Sequence, residues 1–331
     1  MKQTSKLLSL ILATSMVIGL SACGSQNASS SGTSSSSKKV YHVGICQLVE
    51  HEALDAATKG FEDELTKKLG KGNVVFDLQN AQGEQANCAT ITNGFVSNNV
   101  DLIMANATAA LQSAAAATNT IPIVATSITD YKTALNIKNW TGSTGSNVTG
   151  TSDLAPLDQQ EAMIKELVPN VKKVGIVYCS AEPNSIYQAQ QIEKYLKKDN
   201  IEYKEYSAAD SNEIQSVVTK AVSDCNALYV PTDNVMAANV DIIKNITVPA
   251  KIPVIAGEEG ICAGGLATLS ISYTDIGKSA ADMAYDILVN KKNPGKMPIQ
   301  FATATTKEYN ADIAGKLGIT VPNGYTKLQT K

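Results

Sequence analysis

The sequence predicts an α/β fold of two doubly wound, parallel-sheet lobes joined by a multi-strand hinge. Three observations carry this. First, residues 101–130 form a strand–helix–strand unit: the apolar run 102–104 ends in Ala-Asn-Ala-Thr, an alanine-rich segment follows, and a second apolar run, 121–125, ends in Thr-Ser. Short apolar runs bounded by polar residues, with a helix-length segment between them, describe buried parallel strands. Second, the unit recurs over residues 226–260, where "LYVPTD … IPVIAGE" matches "IMANAT … IPIVATS". Third, strands and helices alternate in the same order through both halves, which implies right-handed crossovers in each.

The elements follow in chain order. Residues 40–47 are a strand, 48–55 turn into a helix that reaches about Lys68, and 74–78 are the next strand. Residues 80–83 turn, 85–98 are helical, and the first copy of the repeat follows. The Gly/Ser/Thr/Asn-rich stretch 142–153 is too polar for core and is expected to be the first hinge crossing. The second half gives strand 173–178, helix 185–198, strand 203–206, helix 212–224 and the second copy. Then come strand 266–273, a helix from Thr274 to about Asn290, a break at Asn293-Pro294-Gly295, a final strand 297–304 and a short helix 309–317. Lobe 1 is accordingly expected from residues 39–150 plus about 274–296, and lobe 2 from 151–273 plus about 297–327.

Composition excludes several classes. The 331-residue chain is 44% hydrophobic with a net charge of −3, so no basic footprint points to nucleic acid. It contains no arginine, which argues against a phosphate-bearing ligand, since planar phosphate clamps favour that residue. Lys2 and Lys6 precede the apolar stretch 7–20 and the small residues Ser21 and Ala22, the pattern of a secretory signal over residues 1–22. Leu20-Ser21-Ala22-Cys23 resembles a bacterial lipobox, so Cys23 is expected to be lipidated and to anchor the chain to the cell membrane from outside. Residues 23–38 then form a Ser/Gly tether. The other five cysteines, Cys46, Cys88, Cys179, Cys225 and Cys262, make no Cys-x-x-Cys pair, so neither a disulfide framework nor a zinc site is expected.

Catalytic motifs are absent: there is no Gly-x-Ser-x-Gly, phosphate loop or His-Glu-x-x-His. Of the two histidines, His42 lies within a strand and His51 in a polar loop before a helix. No enzyme, cofactor or metal is expected. What remains is polar residues at matching strand ends, where loops and helix N-termini of parallel sheets gather ligands. The first lobe offers Gln47, Asn106, Thr108, Thr126, Ser127 and Asp130; the second offers Ser180, Asn184, Ser185, Asp233, Asn234 and Glu258. Many would serve as helix caps. Acids facing helix N-termini and hydroxyls across a cleft suit a zwitterion, its ammonium at Asp233 or Glu258. Leu48, Tyr131, Tyr178 and Tyr187 are candidates for an apolar wall.

These residues resemble a known family, the solute-binding lipoproteins of ABC importers of the tryptophan/tyrosine type. The resemblance rests on "VGICQLVEHEALD" (43–55), "NAQGE" (80–84), "ANATAA" (105–110), "NVTGTSD" (147–153), "VPTDN" (230–234) and "SISYTDIGKSAADMA" (270–284). It departs from the family where Asp130 is followed by Tyr131 rather than proline. It implies a type I periplasmic-binding-protein fold with three hinge crossings and a small ligand between the lobes. Carried over by position, Thr108, Ser127 and Ser185 would hold a carboxylate and Asp233 an ammonium, with Gln47 and Asp130 near the ligand's side chain. The expected function is capture of an aromatic amino acid by a monomer that delivers it to a permease and ATPase. Alternatives are an aliphatic amino acid, a nucleoside or a sugar as ligand, or a surface sensor or adhesin on the same fold.

Overall fold

A computed structural model describes residues 39–329; the expected signal peptide, the expected lipidation site Cys23 and the expected tether lie outside the described residues. The chain runs β1 (Tyr41–Gln47), α1 (Glu52–Leu69), β2 (Val74–Asn80), α2 (Gln85–Ser97), β3 (Leu102–Asn106), α3 (Thr108–Ala117), β4 (Ile123–Ile128), α4 (Tyr131–Ala134) and β5 (Val148–Ser152). It crosses to the second lobe and continues α5 (Leu157–Leu167), β6 (Lys173–Cys179), α6 (Pro183–Lys198), β7 (Glu202–Ala208), α7 (Ile214–Asp224) and β8 (Ala227–Val230). There follow α8 (Asn234–Ala238), α9 (Val240–Thr247), β9 (Val254–Ala256), α10 (Glu259–Cys262) and β10 (Ala267–Ser270). A second crossing leads to α11 (Tyr273–Leu288) and β11 (Gln300–Phe301), and a third to β12 (Thr306–Tyr309), α12 (Ala311–Leu317) and β13 (Thr326–Lys327).

The first sheet has the order β11-β5-β4-β3-β1-β2 and the second β13-β12-β10-β9-β8-β6-β7. Both copies of the repeat pair as expected: Ile103 lies opposite Ile123, and Leu228 opposite Val254, in parallel register. Helices cover both faces of each sheet. In lobe 1, Phe61, Leu65, Ala280 and Ala284 of α1 and α11 pack under Val43, Ile45 and Met104, while Phe95 and Leu111 cover the opposite face. Two glycines let α1 and α11 approach closely: a Cβ on Gly60 would stand 2.4 Å from the Thr274 carbonyl oxygen, and one on Gly277 2.1 Å from that of Ala57.

Three expectations need correction. The polar stretch 142–153 is not all hinge, because β5 within it is a fully buried strand between β4 and β11. Its hydroxyls find partners inside: Thr149 donates to Met297 O, Thr151 to Thr126 Oγ1, and Ser152 to Thr129 O. Buried polar side chains are tolerated when so paired. The crossing itself begins at Asp153. The return to lobe 2 also comes later than residue 297: Met297 and Ile299 are in the lobe 1 core and β11 pairs with β5. Finally, Tyr309 ends a strand rather than opening a helix, and that strand, β12, is antiparallel to β10.

Candidate functional site

The two sheets present the C-terminal ends of their parallel strands toward one another across a cleft. Near the hinge the cleft narrows to a cavity lined by His51, Ser127, Thr129 and Asp153, then Asn184, Thr232, Asp233 and Asn234, with Glu258 and Tyr273 closing it. The space open to the centre of a water-sized group is ≈ 10 Å³, room for about one such group. Toward the mouth, and sharing Asn234 with it, a groove of ≈ 320 Å³ lies between Leu48, Val49 and Ala109 of lobe 1 and Ala181, Pro183 and Val235 of lobe 2. Two polar contacts span the lobes beside the cavity: His51 Nε2 with Asn234 Oδ1 at 3.1 Å, and Gln188 Nε2 donating to Thr129 Oγ1 at 3.5 Å.

The electrostatics are one-sided. Asp153, Asp233 and Glu258 are all at most 4% exposed, and no lysine is among the described residues that line the cavity. Burial pushes the Asp153 carboxyl up to about 6 against the opposing hydrogen bonds from Tyr273 and Thr129. Burial likewise raises Glu258 to about 7, although Gly260 and Ile261 donate their backbone N–H groups to it. Asp233 is raised by burial while capping α8 through Met236 N and accepting from Cys179 N. Beside them Glu182, raised to about 8 by burial and then by Asp233, accepts from Asn234 N and Val235 N. Desolvated carboxylates of one sign are costly unless a cation meets them.

Three non-glycine positions around the cleft have positive φ, among them Gln82 of the groove wall at +57°. Ala107, between β3 and α3, has φ +89° and ψ 160°, and Ser127, at the end of β4, has φ +57°. Such conformations persist where surrounding packing imposes them, and they concentrate at functional sites. Ser127 and His51 both line the cavity, and Ser127 Oγ and His51 Nδ1 are each buried without a hydrogen-bond partner.

Of the residues singled out from sequence, Ser127, Asn184, Asp233, Asn234 and Glu258 line the cavity. Thr108 and Asp130 meet Pro183, Asn184 and Tyr187 at a tight contact between the lobes, Asp130 capping α4 through Thr133 N. The others face inward or away. Gln47 spends its amide within lobe 1, on Val49 O, Asp55 and Thr58. Asn106 donates to Leu54 O and Thr58, and Thr126 accepts from Thr151 inside the sheet. Ser185 is buried against Thr232 O, and Ser180 is exposed and bonded to Ala208 O. Tyr131 is no wall: its hydroxyl donates within the sheet to Ala125 O and Thr151 O, over a glycine, Gly150. Tyr178 turns to Glu205, on β7.

Sequence reasoning missed His51, Thr129, Asp153, Thr232 and Tyr273 as cavity residues. Asp153 accepts from Thr129 and Tyr273 at 3.1 Å each, joining the first and second crossings. One signal was available, since His51, Asp153 and Tyr273 all fall within the quoted family motifs.

Comparison with known proteins decides the family. The model of the ABC transporter substrate-binding proteins matches residues 42–331. The chain belongs to that family. It is 37% identical over 319 residues to the tyrosine-binding protein of Clostridioides difficile, covering 94% of this chain and 92% of that one. Its structure is similar to that of an ABC domain from Streptococcus pneumonia in complex with L-Trp, at 33% identity and a TM-score of 0.82, covering 86% of this chain and 97% of that one. It is also similar, at 36% identity and TM-score 0.68, to the ligand-free, open structure of a Clostridium difficile substrate-binding protein with adhesive properties, covering 88% and 100% of the two chains. This substrate-binding protein thus scores lower against the ligand-free, open structure than against the L-Trp complex, at comparable identity.

Proposed function

We propose that this chain is the extracytoplasmic, lipid-anchored binding protein of an ABC importer, and that it captures an aromatic amino acid (tyrosine, tryptophan or phenylalanine) by closure of its lobes. The observation that carries this is the convergence of Asp153, Asp233 and Glu258 on a cavity the size of one ammonium group, with no lysine among the described residues that line it. An ammonium there offers three donors and a compensating charge. The ligand's ring then lies in the adjoining groove against Leu48, Ala109, Pro183 and Val235, and its carboxylate reaches the groove's amides, Gln82, Gln85 and Gln112. This reading turns Ser127 from carboxylate to ammonium, because the acids surround it. A tyrosine-binding relative and an L-Trp-bound neighbour support the ligand class. Anchoring through Cys23 and delivery to permease and ATPase subunits complete the proposal.

A second reading, surface attachment, is favoured by the adhesive properties of the similar Clostridium difficile protein. A thermal-shift screen of the mature chain against amino acids, nucleosides and sugars tests the ligand class, since a ligand of the folded state alone raises the midpoint. A shift by tyrosine, tryptophan or phenylalanine is expected. A shift only by a sugar, a nucleoside or aliphatic amino acids would overturn the aromatic assignment.

A further inference from the structure

We infer that His51 is a ligand-binding residue of this site, its neutral ring presenting Nδ1 as a hydrogen-bond acceptor to the ammonium that Asp153, Asp233 and Glu258 neutralise. The inference rests on the reading above and adds to it an uncharged acceptor that fixes the direction of the ammonium.

The tautomer follows from a chain of partners. Glu182 Oε2 accepts the backbone N–H of Asn234 and the amide N–H of Asn184, while Oε1 accepts the N–H of Val235, so Oε2, the oxygen beside the Asn234 side chain, acts as an acceptor. Asn234 therefore turns its amide nitrogen toward Glu182, where Nδ2 to Oε2 is 2.7 Å. That leaves Asn234 Oδ1, an acceptor, facing His51 Nε2 at 3.1 Å. Nε2 must carry the proton, and in a neutral imidazole the other nitrogen is then a lone pair. Burial lowers the affinity of the ring for a second proton, which keeps it neutral. Nδ1 is shut off from solvent and has no partner, and His51 lines the same cavity as the three acids and Ser127.

Position reinforces the assignment. His51 stands at the N-cap of α1 yet makes no capping hydrogen bond, so its side chain is not needed to start the helix. A buried acceptor without a partner costs folding free energy, whereas a ligand N–H offsets that cost on binding.

Two substitutions separate the nitrogens. In His51→Asn the side-chain oxygen can take the place of Nδ1, while the bond to Asn234 is lost. In His51→Gln the amide nitrogen can reach the place of Nε2 and keep Asn234, while the Nδ1 acceptor is lost. Calorimetric titration of L-tyrosine and L-tryptophan into the mature chain and both variants is the test, with circular dichroism to establish that each variant is folded. The expected result is a loss of tenfold or more for His51→Gln and about threefold or less for His51→Asn. The reverse order would make His51 only a latch between the lobes and would overturn the inference, as would unchanged affinity in both. If the unsubstituted protein takes neither amino acid, the aromatic reading fails and this inference falls with it. Nitrogen NMR gives an independent readout, made simple by there being only two histidines. The Nδ1 resonance of His51 should be unprotonated and should move on adding the amino acid; a protonated Nδ1 would overturn the assignment.

Discussion

Replacing Asp153 with asparagine separates stability from binding more cleanly than any other change at the site. Asp233 and Glu258 each accept two backbone N–H groups, so an amide in either place would set donor against donor. Asp153 instead accepts from two hydroxyls, Thr129 Oγ1 and Tyr273 OH, and a hydroxyl can turn to accept from an amide. Asp153→Asn therefore keeps its partners and removes only the charge. The carboxyl is raised from 3.8 to about 6, so holding it ionised in the folded chain costs about 3 kcal/mol at 1.36 kcal/mol per tenfold step. Without added amino acid, the variant should be more stable than the parent at pH 8 by up to about 3 kcal/mol, and equally stable below pH 4, where the parent is protonated in both states. Its affinity for L-tyrosine should fall by about 1.5–3 kcal/mol, roughly 10- to 150-fold, the worth of a hydrogen bond to a charged group. Urea unfolding at the two pH values and calorimetry at pH 8 measure both effects. Unchanged affinity, or a variant less stable at pH 8, would refute the reasoning.

Three further outcomes follow from the same geometry. Ser127→Ala removes a buried hydroxyl that has no partner and should stabilise the folded chain by about 1 kcal/mol in urea unfolding while weakening amino-acid binding several-fold. Gly150→Ala would put a Cβ 1.9 Å from the Ala125 carbonyl oxygen and 2.4 Å from the Tyr131 hydroxyl, at φ +152°, and should cost more than about 4 kcal/mol, read as a large drop in melting temperature. The raised carboxyls of Asp153, Glu258 and Glu182, at about 6, 7 and 8, favour the folded chain when protonated. That contribution is whole below about pH 4 and is lost as pH rises through 6 to 8. Urea unfolding of the protein without amino acid should thus show a lower stability at pH 8.5 than at pH 5, which added tyrosine offsets, and equal stability at the two pH values would contradict this.

The sheets were legible because their strands are apolar runs whose period and spacing repeat, and the two copies announced the two lobes. β5 was not, because Val-Thr-Gly-Thr-Ser carries hydroxyls that look like a solvated hinge until Met297, Thr126 and Thr129 are brought to them by the fold. The rims were legible in part. Asp233 and Glu258 sit at helix starts, which local sequence reveals, whereas Gln47 and Thr126 lie at the ends of strands and turn into the lobe. What escaped was long-range pairing: Asp153 and Tyr273 are 120 residues apart, and His51 and Asn234 are 183 apart. No local pattern says that a histidine before one helix will share a cavity with an asparagine at the start of another.

The most direct test of the account is a crystal structure of the mature chain with L-tyrosine. The ammonium nitrogen is expected within hydrogen-bonding distance of Asp153, Asp233 or Glu258 and of His51 Nδ1, with the ring in the groove beside Leu48 and Val235. An amino acid bound with its carboxylate among those acids, or held elsewhere on the molecule, would contradict it.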